Sequence, residues 1–432
     1  MEVLTKSTSK TQGTSRLLFW VARSHQFLGW LVGGFILLWV ISGLVMLWVP
    51  FPKLTETEFA RWERWGKEFT HSIQNTETID YDVWTVGTRY REHRPFLKIA
   101  LKDPLRTELY WSIQSQKWVQ QTTAEERFWN WVGAVPHWFY LSSLRDQEGL
   151  WKVTVWIFSL LGLLLVLCGW IWALLQRSRL WAPAKSKLRR IHSLIGLLIF
   201  PFLFLWLLSG FFSVPIPGWF ASNQPNQQEA LRWKSPRREV VNERIFERHE
   251  LASGTVERRK IAILGHHWFR DLQKVGIVLW IDSQGNSFVG SIPRSWVDQE
   301  LNQLRSEQIL KEFEGVAGND FWASGLDRNI KPENSPQIRL TFSSSPEEQW
   351  DVDLNSGQMV QRWTPSTKTY RILYRLLHTW DIPWLLDRDL LRKSGMILLL
   401  IGISIVGFIG FYWTMKRWRK VSPRSEPLYS GI

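Results

Sequence analysis

Four long apolar stretches without Lys, Arg, Asp or Glu constrain this fold more than any other feature of the sequence. They run over residues 27–49, 153–175, 191–220 and 395–415, and each has at least 21 residues. About 20 residues of α-helix are needed to cross the hydrocarbon core of a bilayer. The sequence therefore predicts an α-helical integral membrane protein with four transmembrane helices, embedded in a lipid bilayer.

The formal net charge of +14 is concentrated beside these stretches. Residues 1–25, 177–190 and 416–432 carry 15 of the 53 basic residues and only two acids, which leaves 38 basic and 37 acidic residues elsewhere. This distribution follows the positive-inside rule, under which Lys and Arg accumulate in cytoplasmic loops. We therefore expect cytoplasmic termini, a cytoplasmic linker and long outer segments, and we expect no nucleic-acid partner.

The same reasoning divides the chain into nine segments. Transmembrane helices are predicted at 27–49, 151–176, 191–220 and 393–415, cytoplasmic parts at 1–26, 177–190 and 416–432, and outer domains at 50–150 and 221–392. The first helix is expected to be an uncleaved anchor, since no small-x-small cleavage site follows it. Cys168 is the only cysteine and lies in a predicted span, so the outer domains contain no disulfide and no CxxCH haem attachment.

Both outer segments have the pattern of α+β domains that end in an interfacial helix. Apolar and polar residues alternate at 94–120, 275–290 and 337–363, with hairpin turns expected at 282–285 and 355–357. Helical patterns adjoin these strands at 59–69 and 295–313, and residues 367–380 predict an amphipathic helix at the membrane surface.

The helix, outer domain and helix are predicted to occur twice, as a tandem repeat. An Arg, a His, a Gly, a Leu-Trp pair and a Ser-Gly pair recur at an offset of 167 between residues 23–43 and 190–210. A second offset of 241 relates the second span to the fourth, and it matches His137 to His378, Asp146 to Asp387, Gly169 to Gly410 and Trp172 to Trp413. Parallel repeats of this kind are related by a pseudo-two-fold axis along the membrane normal.

Four histidines occupy repeat-equivalent positions. His25 and His192 lie at the cytoplasmic ends of their spans, whereas His137 and His378 lie on the outer side, before the second and fourth spans. Pairing across the axis gives two bis-histidine sites, one near each membrane surface. Bis-imidazole ligation produces a low-spin haem iron suited to electron transfer, whereas a metal without porphyrin lacks a recurring third ligand here. We therefore predict two bis-histidine haem sites.

Residues around the first pair suit the same cofactor. Gly29 and Gly196 lie four residues after their histidines on the same helical face, and they are expected to leave room for a flat macrocycle. Arg23 and Arg190 are expected to neutralise haem propionates at the cytoplasmic edge. The alternative is a purely structural duplication, in which the glycines serve packing and the histidines lie at helix ends.

Other histidines form no constellation. His266 and His267 are candidates for contact with a substrate or a metal, but a solvated or packed pair is the simpler interpretation. The sequence contains no HExxH helix, Gly-rich phosphate loop or Ser-His-Asp arrangement, so the hydrolase and nucleotide-driven pump classes lack support.

Several segments resemble the PepSY-associated transmembrane proteins, which include iron-regulated membrane proteins and inner-membrane ferric-siderophore reductases. They are "RSHQFLGW" with "SGL" (23–30 and 42–44), "LHTWDIPWLL" (377–386) and "VDLNSGQMVQRW" (352–363). His378, Asp381, Ile382 and Pro383 are similar to the family pattern His-x-x-Asp-Phe-Pro. The block after His137 departs from that pattern, because Trp138, Phe139, Tyr140 and Leu141 follow it.

The resemblance implies a four-span b-type cytochrome of the bacterial inner membrane, with PepSY-like outer domains in the periplasm. His25, His192, His137 and His378 would be the axial ligands of its two haems. An unidentified donor would supply electrons, which would pass outward to a ferric siderophore or another periplasmic iron chelate. The alternative function is a non-enzymatic PepSY membrane protein that binds or regulates a peptidase or a signalling partner.

Overall fold

A computed structural model describes residues 2–55, 58–59, 61–62, 73–176, 187–220, 233, 254–273, 277–316 and 337–421. Its helices are, in chain order, α1 (Glu2–Met46), α2 (Ala124–Val132), α3 (Ala134–His137), α4 (Ser142–Asp146), α5 (Glu148–Leu175), α6 (Lys187–Phe212), α7 (Arg294–Ser306), α8 (Pro365–Arg371), α9 (Leu377–Thr379), α10 (Pro383–Leu386) and α11 (Asp389–Val421). A 3₁₀ turn covers Thr88–His93, and a π-helical turn, Ile372–Leu376, joins α8 to α9.

Four of these helices are long and apolar enough to cross a membrane, as predicted. The candidate spans are Arg16–Met46 in α1, Glu148–Leu175 in α5, Lys187–Phe212 in α6 and Asp389–Lys416 in α11. These four helices are consistent with a multi-pass membrane protein.

The helix ends differ most from the predicted boundaries in the third and first spans. The third span was expected to reach residue 220, but α6 ends at Phe212 because Pro215 and Pro217 follow, and proline cannot continue the hydrogen-bond ladder of a helix. The first span was expected at 27–49, but α1 begins far earlier and ends at Met46, where a turn leads to Pro50.

The strands form three four-stranded antiparallel sheets, each ordered as in the chain or in reverse. The first sheet contains β1 (Ile73–Ile79), β2 (Phe96–Leu101), β3 (Glu108–Ser112) and β4 (Lys117–Thr122). The second contains β5 (Thr255–Ile263), β6 (His266–Gln273), β7 (Val278–Ile281) and β8 (Ser287–Val289). The third contains β9 (Leu310–Gly315), β10 (Gln337–Phe342), β11 (Gln349–Asp353) and β12 (Gln358–Trp363).

The predicted hairpins are confirmed, and one predicted helix is partly wrong. Gly285 and Gly357 occupy the expected turns with φ of 89° and 65°, a region that favours glycine. The helical pattern at 295–313 ends at Ser306, because Gln308 adopts a φ of 59° and the chain then enters β9 beside β10. The helical pattern at 59–69 lies mostly outside the described residues.

The chain divides into two compact units. The helical unit comprises residues 1–51, 128–214 and 390–432, and the sheet unit comprises residues 52–127 and 215–389. In the helical unit, Val32 and Ile199 are repeat-equivalent and both are buried in the core. In the sheet unit, the second and third sheets and α7 share one core, which includes Trp280, Leu301 and Leu340.

Two buried ion pairs join neighbouring strands of the sheet unit. Arg258 donates twice to Asp271, each time at 2.6 Å. Arg339 donates to Asp351 at 2.8 and 3.1 Å, and Trp363 Nε1 donates to the same carboxylate at 2.6 Å. Because both carboxylates are buried, these pairs replace the hydration that the charges lose on folding.

Replacing Arg339 with Met leaves the Asp351 carboxylate buried without its cation. Removing one partner of a buried ion pair costs about 3–5 kcal/mol, so we expect R339M to lower the apparent Tm of the detergent-purified protein by several degrees. Glu314→Gln is the control, since Glu314 is exposed and lies 3.7 Å from Arg339. Exposed pairs contribute about 0–1 kcal/mol, so E314Q should change the Tm little. An unchanged Tm for R339M would contradict this account of the buried pair.

Candidate functional site

His25 in α1 and His192 in α6 are brought together within the helical unit. Their ring centroids lie 6.2 Å apart, and the ring planes are inclined by 58°. Both side chains are half-buried. The sequence repeat therefore corresponds to a spatial pair.

Each of these rings hydrogen-bonds to a backbone carbonyl on a neighbouring long helix. His25 Nδ1 lies 3.0 Å from the carbonyl oxygen of Leu165 in α5, and His192 Nδ1 lies 3.0 Å from that of Val406 in α11. A carbonyl oxygen can only accept, so each Nδ1 carries the proton and donates. In the neutral ring, Nε2 then keeps its lone pair, and this is the form of histidine that ligates a metal.

The two hydrogen bonds are copies of each other. Leu165 and Val406 are separated by the offset of 241, while His25 and His192 are separated by the offset of 167. The repeat therefore extends to the atoms that hold each imidazole. Sequence matches at the second offset are sparse, so this equivalence is far clearer in the structure.

Two glycines at repeat-equivalent positions allow the rings to lie against the neighbouring helices. A Cβ atom at Gly169 would lie 2.6 Å from His25 Cε1, and one at Gly410 would lie 3.3 Å from His192 Cε1. No side chain larger than hydrogen fits at Gly169 without moving the ring. Close approach therefore requires glycine at position 169, whereas at Gly410 a Cβ atom would make a tight contact with the His192 ring.

Gly29 and Gly196, the glycines expected to make room for a macrocycle, have a different environment. A Cβ at Gly29 would meet Leu165 Cδ1 at 3.8 Å, and one at Gly196 would meet Val406 Cγ1 at 3.8 Å. Both are ordinary packing distances. Their role beside a cofactor stays a prediction.

The arginines near this pair precede the histidines by two or three residues, within α1 and in the first turn of α6. The Arg23 guanidinium lies 5.3 Å from the Phe19 ring centroid, and Arg190 is exposed. Arg189 lies 5.8 Å from the ring of Trp413. Their contact with haem propionates stays a prediction.

His137 ends the short helix α3 and is held in the same manner. Its Nδ1 lies 3.1 Å from the Trp39 carbonyl oxygen and 3.1 Å from Ser42 Oγ. Ser42 Oγ donates to the carbonyl of Leu38 at 2.7 Å, so it accepts from the histidine. Burial lowers the pKa of His137 to about 4, against the opposing effect of the Trp39 hydrogen bond. The ring is therefore neutral at pH 7, with Nε2 again unprotonated.

His378 lies in the sheet unit, in α9, which directly follows the π-helical turn. Its ring centroid lies 5.5 Å from that of Tyr374. π-helical turns are rare and are found frequently at functional sites. Asp381, three residues later, is fully buried and lies 3.9 Å from Arg371.

His378 and His137 are followed by the same backbone conformation, although the residues that follow them differ. Two residues after each histidine the chain becomes left-handed, with a φ of 52° at Phe139 and 53° at Trp380. A bulky residue rarely adopts this conformation, and such residues cluster at functional sites. The helices that carry the two outer histidines therefore end alike, although only the second is followed by Asp-Ile-Pro.

The structure brings together one of the two predicted histidine pairs. His25 and His192 lie in one unit, whereas His137 belongs to the helical unit and His378 to the sheet unit. The pairing of His137 with His378 stays a prediction. Among the described residues, no group of three or more His, Cys, Asp and Glu side chains could hold a metal ion.

The remaining described histidines belong to the sheet unit. His266 is exposed, with its ring edge against Trp296 and its Nε2 3.5 Å from Glu300. His267 is half-buried on the same strand. His266 therefore has the surroundings of a solvated surface histidine.

Sequence reasoning missed the residues that position the rings. The close approach of a histidine ring to Gly169 and Gly410 could have been suspected from the sequence, because the offset of 241 matches these two glycines. Ser42 was also in the repeat, but nothing marked it as an acceptor for His137. Arg145 was missed entirely: it is 6% exposed, and its guanidinium lies 4.2 Å from the Trp151 ring and 5.3 Å from the Tyr140 ring.

Comparison of the chain with protein-family models found no match, and comparison with curated proteins found none either. The resemblance to PepSY-associated proteins therefore stays a hypothesis based on the quoted residues. Function has to be argued from the chemistry of the site.

Alanine at Gly169 is expected to displace the His25 ring. Overpacking in a tightly packed interior costs about 1–3 kcal/mol, so G169A should lower the apparent Tm. Gly33→Ala in α1 is the matched control, because a Cβ atom there would meet no heavy atom within 4 Å, and the gain in helix propensity is about 1 kcal/mol. The expected order of Tm is therefore G33A at or above wild type and G169A below it. The reverse order would contradict the close approach.

Proposed function

We propose that this protein is a di-haem b-type membrane reductase that passes single electrons to a periplasmic ferric chelate. One observation carries the proposal: two repeat-equivalent histidines lie side by side with both Nδ1 protons bonded to backbone carbonyls. Two neutral imidazoles with available Nε2 atoms are the axial donor set of a bis-histidine haem.

The residues present fit that cofactor better than they fit a bare metal ion. His25 and His192 would hold the haem through their Nε2 atoms, and each Nδ1 is already engaged by a backbone carbonyl. The His25 and His192 centroids are 6.2 Å apart. A structural metal site needs three or four protein ligands, and the described residues offer no such group. A porphyrin brings its own four nitrogens.

Haem b, when bound, supplies a one-electron carrier. The chain's own residues do the rest. The carbonyls of Leu165 and Val406 fix the tautomer and orientation of the two inner imidazoles, and such outer-shell hydrogen bonds tune reduction potential. Ser42 and Trp39 do the same for His137.

The outer pair is proposed as the site from which electrons leave. His137 and His378 are the candidate ligands, supported by the second sequence offset and by the matching left-handed residues that follow them. Their outer location and the resemblance to ferric-siderophore reductases support a periplasmic iron chelate as acceptor. Reduction of Fe(III) to Fe(II) weakens its hold on hard oxygen ligands, so one electron is enough to release the iron. A reduced cytoplasmic donor gives up that electron.

Removing an inner ligand should remove one haem. The His25→Ala and His192→Ala variants are purified from the membranes of cells supplied with haem, and their reduced absorption spectra are compared with that of the wild type. We expect each variant to lose about half of the reduced b-type α-band, because bis-histidine ligation needs both imidazoles. His266→Ala is the matched control: an exposed histidine outside the repeat, whose loss should leave the spectrum unchanged.

A colourless wild-type protein would contradict the proposal. The non-enzymatic alternative, a PepSY protein that binds a peptidase or a signalling partner, predicts that result. An unchanged α-band in both inner variants would show that the haems are bound elsewhere.

The proposed topology places the sheet unit outside and the starts of α1 and α6 in the cytoplasm. In a Cys168→Ser background, we expect Lys311→Cys on β9 to react with a membrane-impermeant maleimide in intact spheroplasts. Lys187→Cys, at the start of α6, should react only after lysis. Both lysines are exposed, so access to the reagent decides the outcome. Labelling of Lys187→Cys in intact spheroplasts, with Lys311→Cys protected, would show that the chain has the opposite orientation in the membrane.

A further inference from the structure

Arg145 is a buried cation of the helical unit to which the proposed electron transfer assigns no role. It lies on the short helix α4, after the segment that carries His137, and 6% of its surface is exposed. Its Nε and Nη1 atoms are buried, and neither has a hydrogen-bond partner among the described residues. An arginine stays charged in a protein, so these two donors belong to a buried charge that no described acceptor meets.

Two aromatic rings lie against the Arg145 guanidinium. Its Cζ atom lies 4.2 Å from the ring centroid of Trp151 and 5.3 Å from that of Tyr140. Cation–π contacts of this kind replace part of the hydration that the charge loses on burial. They offer no acceptor lone pair to the N–H groups, so Nε and Nη1 still need an acceptor.

The acidic residues that follow Arg145 in the sequence do not supply this acceptor. Asp146 is the next residue, and adjacent residues of a helix do not face each other. Glu148 forms an ion pair with Lys152 at 2.7 Å. A buried charge is strongly unfavourable unless an opposite charge and hydrogen bonds compensate for it. An anion bound at Nε and Nη1 would therefore stabilise this part of the helical unit.

The matching position in the second half of the chain carries no cation. The helices α4 and α10 begin 241 residues apart, at Ser142 and Pro383, and the same offset matches Arg145 to Leu386. Leu386 is half-buried. An apolar side chain therefore serves for packing at this point of the second half, and the cation of the first half calls for an explanation other than packing.

Two contacts connect Arg145 to His137, the candidate ligand of the outer haem in the same unit. Trp151 Nε1 donates to the carbonyl oxygen of Trp138 at 2.7 Å, and Trp138 directly follows His137. The ring centroids of Trp138 and Tyr140 lie 5.1 Å apart. Both rings that lie against the guanidinium thus contact the residue next to His137. A cofactor held by His137 would have this cation close to it.

We propose that Arg145 binds a propionate of the haem that His137 ligates. The need for an anion follows from the burial of the charge, whereas the identity of the anion rests on the proposed function. A propionate ends in a carboxylate, and a guanidinium forms paired, charge-assisted hydrogen bonds with a carboxylate. The contacts predicted for Arg23 and Arg190 concern the inner haem, so Arg145 is an additional cofactor-binding residue.

The test compares the binding of haem b with that of its dimethyl ester, in which both propionates are uncharged. The full-length His25→Ala protein keeps only the outer haem site of the proposal, so titration of this protein, purified without haem in detergent, reports that site by its absorption spectrum. We expect haem to bind at least tenfold more tightly than the ester. In the His25→Ala/Arg145→Leu protein, we expect this preference to be lost, because the cation that distinguishes the two ligands is removed.

Lys152→Leu in the same His25→Ala background is the matched control. Lys152 is a cation seven residues from Arg145, but it is already paired with Glu148. Its loss should therefore leave the preference for haem over the ester unchanged.

Equal affinity of the His25→Ala protein for haem and for its ester would overturn the proposal. This comparison leaves Arg145 in place, so it does not depend on the folding of the arginine variant. A preference retained after Arg145→Leu would also overturn the proposal, and it would leave another anion, such as a lipid phosphate, as the partner of Arg145. Either result in a protein whose wild type holds two haems leaves the reductase function intact. A wild type without haem would overturn that function, and with it the propionate.

Discussion

The account depends on a hydrogen bond between an imidazole Nδ1 and a backbone carbonyl, found at His25, His192 and His137. Such a bond contributes only about 0.5–1.5 kcal/mol of net stability. Its consequence for chemistry is larger, because it removes the choice of tautomer and directs the single basic nitrogen to the other side of the ring. A side chain that usually has two donor and acceptor forms is reduced to one ligating atom with a fixed direction.

This arrangement occurs at positions that the two sequence offsets match, as the proposed tandem repeat requires. The two inner rings lie on helices related by one offset, and their acceptors lie on helices related by the other. The His25 and His192 rings also lie close to Gly169 and Gly410, respectively. The absence of a side chain at these glycines lets each ring approach the neighbouring helix that carries its carbonyl acceptor. The short helices that carry the outer histidines are both followed by a left-handed residue, Phe139 in one case and Trp380 in the other.

The parts of this structure that follow from side-chain identity could be predicted from the sequence. The four spans, the hairpins around Gly285 and Gly357, and the pairing of His25 with His192 were all predictable from apolar length, turn residues or repeat spacing. The acceptors Leu165 and Val406 were not, because every residue has a carbonyl and only helix packing decides which one meets the ring. The left-handed conformation of Phe139 could not be predicted either, because phenylalanine has no preference for a positive φ.

In the sheet unit, too, residue identity could be read from the sequence, whereas the contacts between residues depend on strand register and packing. Arg259 lies opposite Arg270 because of the register of β5 and β6, and a shift of one residue would have moved these side chains to the other face. The pattern at 295–313 favoured a single helix, and pairing of β9 with β10 overrode that local preference. Sequence indicates which residues carry chemistry, and packing decides which of them meet.

The most direct test of the central claim is the number and spin state of haems in the full-length protein. Haem content measured per chain, together with the electron paramagnetic resonance spectrum of the oxidised protein, reports both quantities. The account predicts two haems per chain, both low-spin with two imidazole ligands. A haem-free chain, or haem iron that is high-spin with an open coordination position, would contradict it.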